Sequence, residues 1–158
     1  MTRESDIVVG VISDTHGLLR PEAIDALRGA DMIIHAGDVG NPEVIEELRG
    51  IAPTFVVRGN IDKGHWADAL PMTEVVEVGE CLFYVLHDIS QLDFDPAAAD
   101  FAAVVFGHSH VPSIETREGV LFLNPGSAGP RRFKLPITVA RIRVKGQHLR
   151  PEIVQLHA

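Results

Sequence analysis

Two histidines flank one serine in the segment VVFGHSHVP, where an apolar run ends at Gly107. Histidines in loops are often only solvated or hydrogen-bonded, so His108 and His110 alone do not establish a metal site. Similar polar segments follow other predicted strands. They contain Asp14 and His16 in SDTHG, His35 and Asp38 in HAGDVG, Asn60 and Asp62 in RGNID, His87 in LHD, and Asn124 and Ser127 in NPGS. Each fits a turn, a cap or a hydrogen-bonded core residue, but the repetition at successive strand ends favours one shared cause.

A pair of divalent metal ions is the shared cause that these residue types suggest. Aspartate, asparagine and histidine supply mixed oxygen and nitrogen ligands, which suit Mn, Fe, Zn, Co or Ni better than Mg or Ca. In Asp-x-His and His-x-His segments, a bent loop can direct the two side chains to different ions. A carboxylate can bridge ions roughly 3.5–4 Å apart, and Asp38 stands in the middle of the series. Without a thiolate ligand, a structural zinc site is not favoured.

The elements that would position these residues alternate regularly in the first sixty residues. Strands are predicted at Asp6–Ser13, in DMIIHAG and in PTFVVRG, and helices at Pro21–Gly29 and Asn41–Gly50. Proline at each helix start, glycine at each end and Asn41 as an N-cap support the helices. The β-α-β-α-β order predicts parallel strands with right-handed crossovers, whose carboxyl ends share one edge.

The second half of the chain has more strands. Thr73–His87 predicts two strands about a turn at Gly79 and Glu80, and Pro96–Asp100 predicts a short helix. Further strands are predicted in AAVVFG and GVLFLNPGS, followed by an antiparallel pair in ITVARIRV and HLRPEIVQL. Many short strands favour two mixed sheets packed face to face with helices outside, although a single doubly wound sheet also fits the periodicity.

Composition limits the classes of protein that fit. The chain has 158 residues, 46% of them hydrophobic, which favours one domain over residues 1–158. A net charge of −8 argues against a general nucleic-acid or acidic-membrane surface, so we expect nucleic acid at most as a substrate end. No apolar run is long enough for a membrane span, MTRESDIVVG does not resemble a signal peptide, and Cys81 is the only cysteine. These features favour the cytoplasm.

Five segments stand in the order Asp-x-His, Gly-Asp, Gly-Asn, His and Gly-His-x-His, which resembles the calcineurin-like metallophosphoesterases. Their spacing, the short chain and NPGS are similar to the small, cap-less bacterial and archaeal phosphodiesterases, from Ile7 to about Ser127. The resemblance implies an α/β fold, a four-layer α-β-β-α sandwich with two mixed sheets. It also implies two divalent transition-metal ions, Mn first, held by Asp14, His16 and His110 on one side and by Asn60, His87 and His108 on the other, with Asp38 bridging.

The reaction implied is hydrolysis of a phosphodiester by a metal-bridged hydroxide. We expect His35 to orient the site, and Asp62 to orient Asn60 or a ligand histidine; an ordinary structural role is the alternative for both. Two positions depart from the family pattern. Many members have a histidine where this chain has Ile61, and commonly a glycine where it has Asp88. His65 is a candidate substitute for the missing acid, and Asp88 could weaken substrate attraction, reach a metal or point away.

Without an obvious insertion over the site, we expect an open groove and a small phosphodiester substrate, with homo-oligomerisation left open. Arg131 and Arg132 could contact phosphate or simply be solvated. The main alternative function is a metal-binding scaffold or regulatory protein that has lost turnover, as in a eukaryotic retromer subunit that resembles this group. A nucleotide-binding Rossmann protein is less favoured, because GVISDTHG lacks the glycine-rich phosphate loop.

Overall fold

The computed structural model describes residues 6–157, so the first five residues of the segment considered above for a leader lie outside the described residues. The first half folds as predicted, with both helices and all three strands present. Their bounds are β1 (Ile7–Ile12), α1 (Pro21–Leu27), β2 (Met32–His35), α2 (Pro42–Arg49) and β3 (Thr54–Val56). β1 pairs with β2 and β2 pairs with β3, both in parallel. The carboxyl ends of these strands therefore lie at one edge of the sheet.

The residues predicted to begin and end the second helix do so in α2. The Asn41 side chain accepts a hydrogen bond from the Val44 N–H at 3.2 Å, and Pro42 occupies the first helical turn. The helix ends at Gly50 as expected. This cap fixes where the chain leaves the loop after β2, which carries Asp38.

The second half contains seven strands and two short helical segments. They are α3 (His65–Asp68), β4 (Thr73–Val78), β5 (Cys81–Leu86), a 3-10 helix (Ile89–Gln91), β6 (Ala103–Val105), β7 (Ser113–Arg117), β8 (Val120–Asn124), β9 (Thr138–Lys145) and β10 (His148–Gln155). The sequence patterns do not predict α3, the 3-10 helix or β7. Strand β7 is mostly exposed and polar, so it lacks the apolar alternation that indicates a strand.

The short helix predicted at Pro96–Asp100 is wrong. The segment forms a turn in which the Ala99 N–H donates to Asp95 O and the Phe101 N–H donates to Pro96 O. Asp100 adopts a φ of 64°, which reverses the chain before a full helical turn can propagate.

Two mixed five-stranded sheets pack face to face, which confirms the predicted fold class. The strand orders are β10-β9-β1-β2-β3 and β4-β5-β6-β8-β7. The largest hydrophobic cluster lies between the sheets and contains Val9, Val11 and Ile34 from one sheet. Phe83 and Val105 meet them from the other sheet. The predicted pair at the C-terminal end is present as β9 and β10, and β9 extends the first sheet beside β1.

The two outer layers differ in thickness. Helices α1 and α2 cover the first sheet through a second cluster that includes Leu27 and Leu48. The second sheet is covered by the 3-10 helix and the turn after it, through Ile89, Leu92 and Ala97. One outer layer is therefore helical as expected, and the other is a thin irregular cover. Within residues 6–157, none of the helices has the length and apolar character that crossing a membrane requires.

Candidate metal centre

The polar segments that follow strands of both sheets converge at one edge of the sandwich. The Asp14 carboxylate, after β1, is the point of contact. Its Oδ1 lies 3.4 Å from His110 Nε2, which follows β6 in the second sheet. The same oxygen lies 4.0 Å from His87 Nε2, which follows β5. The packing of the two sheets therefore builds a site that neither sheet could form alone.

The first group of potential ligands is Asp14, His16 and His110. One ligand atom from each lies within 4.8 Å of the others. Asp14 is fully buried, and its Oδ1 lacks a hydrogen-bond partner within the described structure, as do His16 Nε2 and His110 Nδ1. Buried polar atoms are normally satisfied, so an unpaired carboxylate oxygen facing two imidazoles fits a cation. These are the three residues expected to share one ion.

The second group combines Asp14, Asp38 and His87, again within 4.8 Å. His87 Nε2 lies 3.3 Å from Asp38 Oδ2, and Asn60 Oδ1 approaches the same nitrogen at 3.0 Å. Two carboxylates and an amide oxygen thus surround one imidazole nitrogen, and a proton or a cation is needed between them. Turning the Asn60 amide by half a turn would instead let its nitrogen donate to Asp38 and His87. The donor set fits a divalent ion.

His108 lies apart from both groups. Its side chain is 48% exposed, and its Nε2 lies 3.9 Å from Asp88 Oδ2. The ring stands 5.2 Å from the His87 ring, measured between centroids. Of the expected second ligand set, the structure brings Asn60 and His87 together and leaves His108 at the wall of the adjoining cavity.

Backbone conformation explains how short loops direct so many side chains to one place. Five candidate ligands have a positive φ between 49° and 71°, the left-handed region that non-glycine residues rarely adopt. They are Asp14, His16, Asp38, His108 and His110. Such conformations are unfavourable by about 1 kcal/mol or more each and persist where surrounding structure enforces them. This concentration is typical of functional sites.

Two motif glycines allow the loops to approach. A Cβ at Gly59 would collide with the backbone nitrogen and the carboxylate of Asp38. A Cβ at Gly107 would collide with Ser13 Oγ and would lie 2.7 Å from Asp14 Oδ2. The glycines that precede Asn60 and His108 are therefore required by close packing.

His35 stands behind the site and fixes backbone. Its Nδ1 accepts a hydrogen bond from the Gly37 N–H at 3.1 Å, so Nε2 carries the proton and donates to Thr15 Oγ1 at 3.0 Å. Thr15 in turn donates to Val39 O at 2.8 Å. Complete burial lowers the pKa of His35 to about 3, which keeps the ring neutral. The ring joins the loop of Asp14 to the loop of Asp38.

Asp62 also holds backbone. Its carboxylate accepts hydrogen bonds from the N–H groups of Val39 at 3.2 Å, Gly40 at 3.0 Å and Gly59 at 2.8 Å. The sequence predicts that Asp62 orients Asn60 or a ligand histidine, whereas its hydrogen bonds join the loops that carry Asp38 and Asn60.

Three polar residues beside the site complete this support, and only one of them, Ser127, was singled out from the sequence. Ser13 Oγ donates to Asp14 Oδ2 at 2.7 Å, Ser127 Oγ donates to Asp14 O at 3.1 Å, and Thr15 acts as described above.

Asn124 supports the His108 loop. Its Nδ2 donates to Gly107 O at 3.1 Å and to Ser109 Oγ at 3.0 Å, while its Oδ1 accepts from the Gly126 N–H at 2.9 Å. The NPGS segment is thereby tied to GHSH. Its role is to position the loop.

The two central carboxylates have opposite electrostatic settings. Burial raises the pKa of Asp14 to about 6. Burial also acts to raise the pKa of Asp38, but the hydrogen bond and charge of His87 outweigh it and lower the value to about 2. A buried carboxylate with a raised pKa gains most from a cation, because the cation replaces the lost solvation. Burial lowers the pKa of His16 and outweighs the opposing charge of Asp38. Burial and the positive charge of Arg132 lower the pKa of His110 to about 4, so both rings are unprotonated at neutral pH and available as ligands.

Asp88 is one of the residues that line the cavity. Its Oδ1 accepts hydrogen bonds from the N–H of Ser90 at 3.0 Å and from Ser90 Oγ at 2.8 Å, and its Oδ2 is the oxygen near His108. Partial burial opposes ionisation, but the Ser90 bonds prevail and lower the pKa of Asp88. His65, the candidate substitute for the missing acid, begins α3 and is exposed.

Comparisons with known proteins identify relatives of this chain. A family model described as the calcineurin-like phosphoesterase superfamily domain matches residues 7–147. A "probable metallophosphoesterase" of Methanothermobacter thermautotrophicus is 34% identical, over 96% of this chain and 94% of its own. Phosphodiesterase YfcE of Escherichia coli K12 is 30% identical, over 73% and 76%.

Solved structures share the fold. The crystal structure of a predicted phosphoesterase from Streptococcus pneumoniae TIGR4 superposes with a TM-score of 0.75 and 28% identity, over 97% of this chain and 91% of the other. Wild-type Vps29 of Entamoeba histolytica, solved in complex with zinc, gives a TM-score of 0.73 and 22% identity, over 94% and 99%. The second likeness concerns the fold alone.

Proposed function

Because the chain belongs to the calcineurin-like phosphoesterase superfamily, we propose that it hydrolyses phosphodiesters with the help of two divalent transition-metal ions. The observation that carries this proposal is the fully buried Asp14, whose unpaired Oδ1 lies near the imidazoles of both His87 and His110. Two adjacent ligand groups meet at this carboxylate. The same arrangement suits an anionic phosphate, because bound cations would leave the site positive within a chain of net charge −8.

In this proposal, Asp14, His16 and His110 hold one ion, and Asn60, His87 and His108 hold the other. Asp38 serves both, since its Oδ2 lies 3.6 Å from His16 Nε2 and 3.3 Å from His87 Nε2. Manganese is the first candidate, with Fe, Zn, Ni or Co as alternatives. When bound, such ions lower the pKa of water and stabilise negative charge on phosphoryl oxygens.

The protein's own residues orient the ligands. His87 Nδ1 lies 2.7 Å from Ala36 O and donates to it, which directs Nε2 toward Asp38. The Ile61 N–H donates to Asp38 Oδ1 at 3.1 Å, which fixes the carboxylate that both groups share. The Ile61 side chain has no ionisable group that could donate a proton to a leaving group. We therefore expect slow turnover that favours good leaving groups.

The first experiment is hydrolysis of bis(p-nitrophenyl) phosphate by chelator-stripped protein, with and without added Mn²⁺. Turnover restored by the metal supports the proposal, and p-nitrophenyl phosphate in parallel distinguishes diester from monoester preference. The matched control is Asp93→Asn, which removes an exposed carboxylate outside both ligand groups and should behave as the wild type. Metal binding without turnover for either ester with Mn²⁺, Ni²⁺, Co²⁺ or Zn²⁺ would contradict hydrolysis.

A scaffold or regulatory protein that binds metal is the second candidate function. The specific observation in its favour is Ile61, which stands beside Asn60 and cannot act as a general acid. Ile61 is 38% exposed and follows Asn60 directly in the chain, which leaves it accessible to a partner. The same assay separates the two functions, because a scaffold retains the metal without restored turnover.

A further inference from the structure

A cavity of about 360 Å³ opens beside Asn60, His87 and His108. This volume lies within the range of small-molecule sites and exceeds what one phosphoryl group requires. A substrate whose phosphate binds at the proposed metal centre would therefore extend one ester group into the cavity. The chemistry of the walls indicates which group.

Two apolar side chains, Met72 and Leu86, line the cavity. Met72 precedes β4 and is 60% exposed at the cavity. Leu86, at the end of β5, is buried beneath the cavity, and its strand neighbour across the ladder is Thr73. A thioether is polarizable and packs favourably on aromatic rings.

Polar groups also line the cavity, and one of them lies beside Met72. The Arg58 guanidinium donates from Nε to Met72 Sδ at 3.4 Å, and its Nη1 lies 3.4 Å from Asp68 Oδ1. Its charge is thus partly balanced, and its plane is held beside the thioether, where it can stack on a ring. Gln91, from the 3-10 helix, offers both a donor and an acceptor.

These walls fit a flat heteroaromatic group with a polar edge. An aliphatic ester group would leave Arg58 and Gln91 unused, and a second phosphate would meet the ionised Asp88 carboxylate. We propose that the cavity binds a nucleoside as one ester group of the substrate, with Met72 and Arg58 against the base. This inference rests on the proposed function for the phosphate half and adds the class of ester group.

Inhibition by two phosphate monoesters tests the specificity. Thymidine 5′-monophosphate and methyl phosphate share the phosphate and differ only in the ester group. We expect the nucleotide to inhibit diester hydrolysis with an inhibition constant about tenfold lower. Met72→Ala should reduce this difference to about twofold and leave inhibition by methyl phosphate unchanged. Equal inhibition by the two compounds, or a difference that Met72→Ala does not alter, would overturn the inference.

Val75→Ala is the matched control. Val75 is 49% exposed on β4 and does not line the cavity, so its truncation removes a comparable exposed apolar group. The preference for the nucleotide should persist in this variant. Loss of the preference in both variants would also contradict the assignment to Met72.

A binding measurement separates this inference from the proposed hydrolysis. In protein labelled with ¹³C-methyl methionine and supplied with diamagnetic Zn²⁺, added thymidine should shift the Met72 methyl resonance saturably. Met32, half-buried in β2, is the internal reference and should not shift. No Met72 shift at about 10 mM thymidine would overturn nucleoside binding even if diesters are hydrolysed. A shift without any turnover would support the cavity assignment and contradict the proposed function.

Discussion

The two sides of the candidate metal centre are built differently. On one side, Asp14 is fully buried and His110 is 3% exposed, with polar atoms left unpaired inside the protein. On the other side, Asn60 is exposed and the His108 side chain is 48% exposed beside an open cavity. The buried side holds its ligand atoms in place before any ion binds, whereas the open side has one distant ligand and room for substrate.

This difference suggests a division of roles. A buried set of fixed ligands suits tight retention of an ion, because little reorganisation is needed on binding. An open set with an exposed histidine suits an ion that also contacts substrate. Asp38 lies between the two sides, so changes there should have the largest effect.

Asp38→Asn should lower kcat/KM for a chromogenic diester by about 10³-fold and reduce bound metal. Asparagine tolerates the φ of 56° and can still accept the Ile61 N–H, so the fold should persist while the shared negative charge is lost. Kinetics and elemental analysis measure both effects. An Asp38→Asn protein with normal metal content and rate would refute the shared role of this carboxylate.

His110→Ala and His108→Ala compare the two sides directly. We expect the first substitution to weaken metal binding about 100-fold and the second about 10-fold, because only His110 belongs to a tight, buried ligand group. Calorimetric titration of chelator-stripped protein with Mn²⁺ gives both values. Equal losses would show that His108 moves fully into place on metal binding, and the proposed contrast would then fail.

Ile61→His adds a proton donor to the open side. We expect this variant to hydrolyse diesters with poor leaving groups about 10- to 100-fold faster, with less effect on nitrophenyl esters. The measurement is the slope of log kcat against leaving-group pKa, which should be steep in the wild type. A flat slope in the wild type would contradict the view that no general acid operates, and would direct attention to another donor such as His65.

Much of the fold could be predicted because local signals agree with the packing. The cap at Asn41 and the apolar runs of β1 and β2 each indicate their element without reference to the rest of the chain. Strand β7 could not be predicted, since its residues are polar and its pairing with β8 depends on tertiary contacts. Pro96–Asp100 failed because a left-handed residue stops the helix, which periodicity does not reveal.

The candidate site could be predicted as a set of residue types, whereas the supporting contacts could not. The resemblance to the family implied that Asp14 and His110 share one ion, and the structure brings the two side chains together. The hydrogen bonds of His35 and Asp62 run to backbone groups of other loops, which no sequence pattern specifies. The motif spacing likewise does not reveal that the His108 side chain lies exposed at the cavity, apart from both ligand groups.

His35→Gln tests the support behind the buried side. The pKa of His35 is lowered from 6.5 to about 3 by burial, so between these values the unfolded chain binds a proton that the folded chain does not. Its contribution to stability is present above pH 6.5 and is lost as the pH falls, by up to about 1.4 kcal/mol per pH unit. Glutamine does not titrate, so the free energy of unfolding of metal-free His35→Gln should fall less steeply below pH 6.5. The free energies of unfolding are measured by urea denaturation at a series of pH values. If the wild type and His35→Gln show the same dependence on pH, a buried neutral His35 is refuted.

Asp88→Asn should produce the smallest change, and it concerns the open side alone. The substitution keeps an acceptor for the Ser90 N–H and removes one negative charge from the cavity wall. An anionic diester should then bind better, so we expect kcat/KM to rise about two- to fivefold, less at high salt because screening weakens the repulsion. Asp93→Asn is again the control. If Asp88→Asn instead loses bound metal, the carboxylate reaches the ion together with His108, and the open side holds more protein ligands than its geometry without metal indicates.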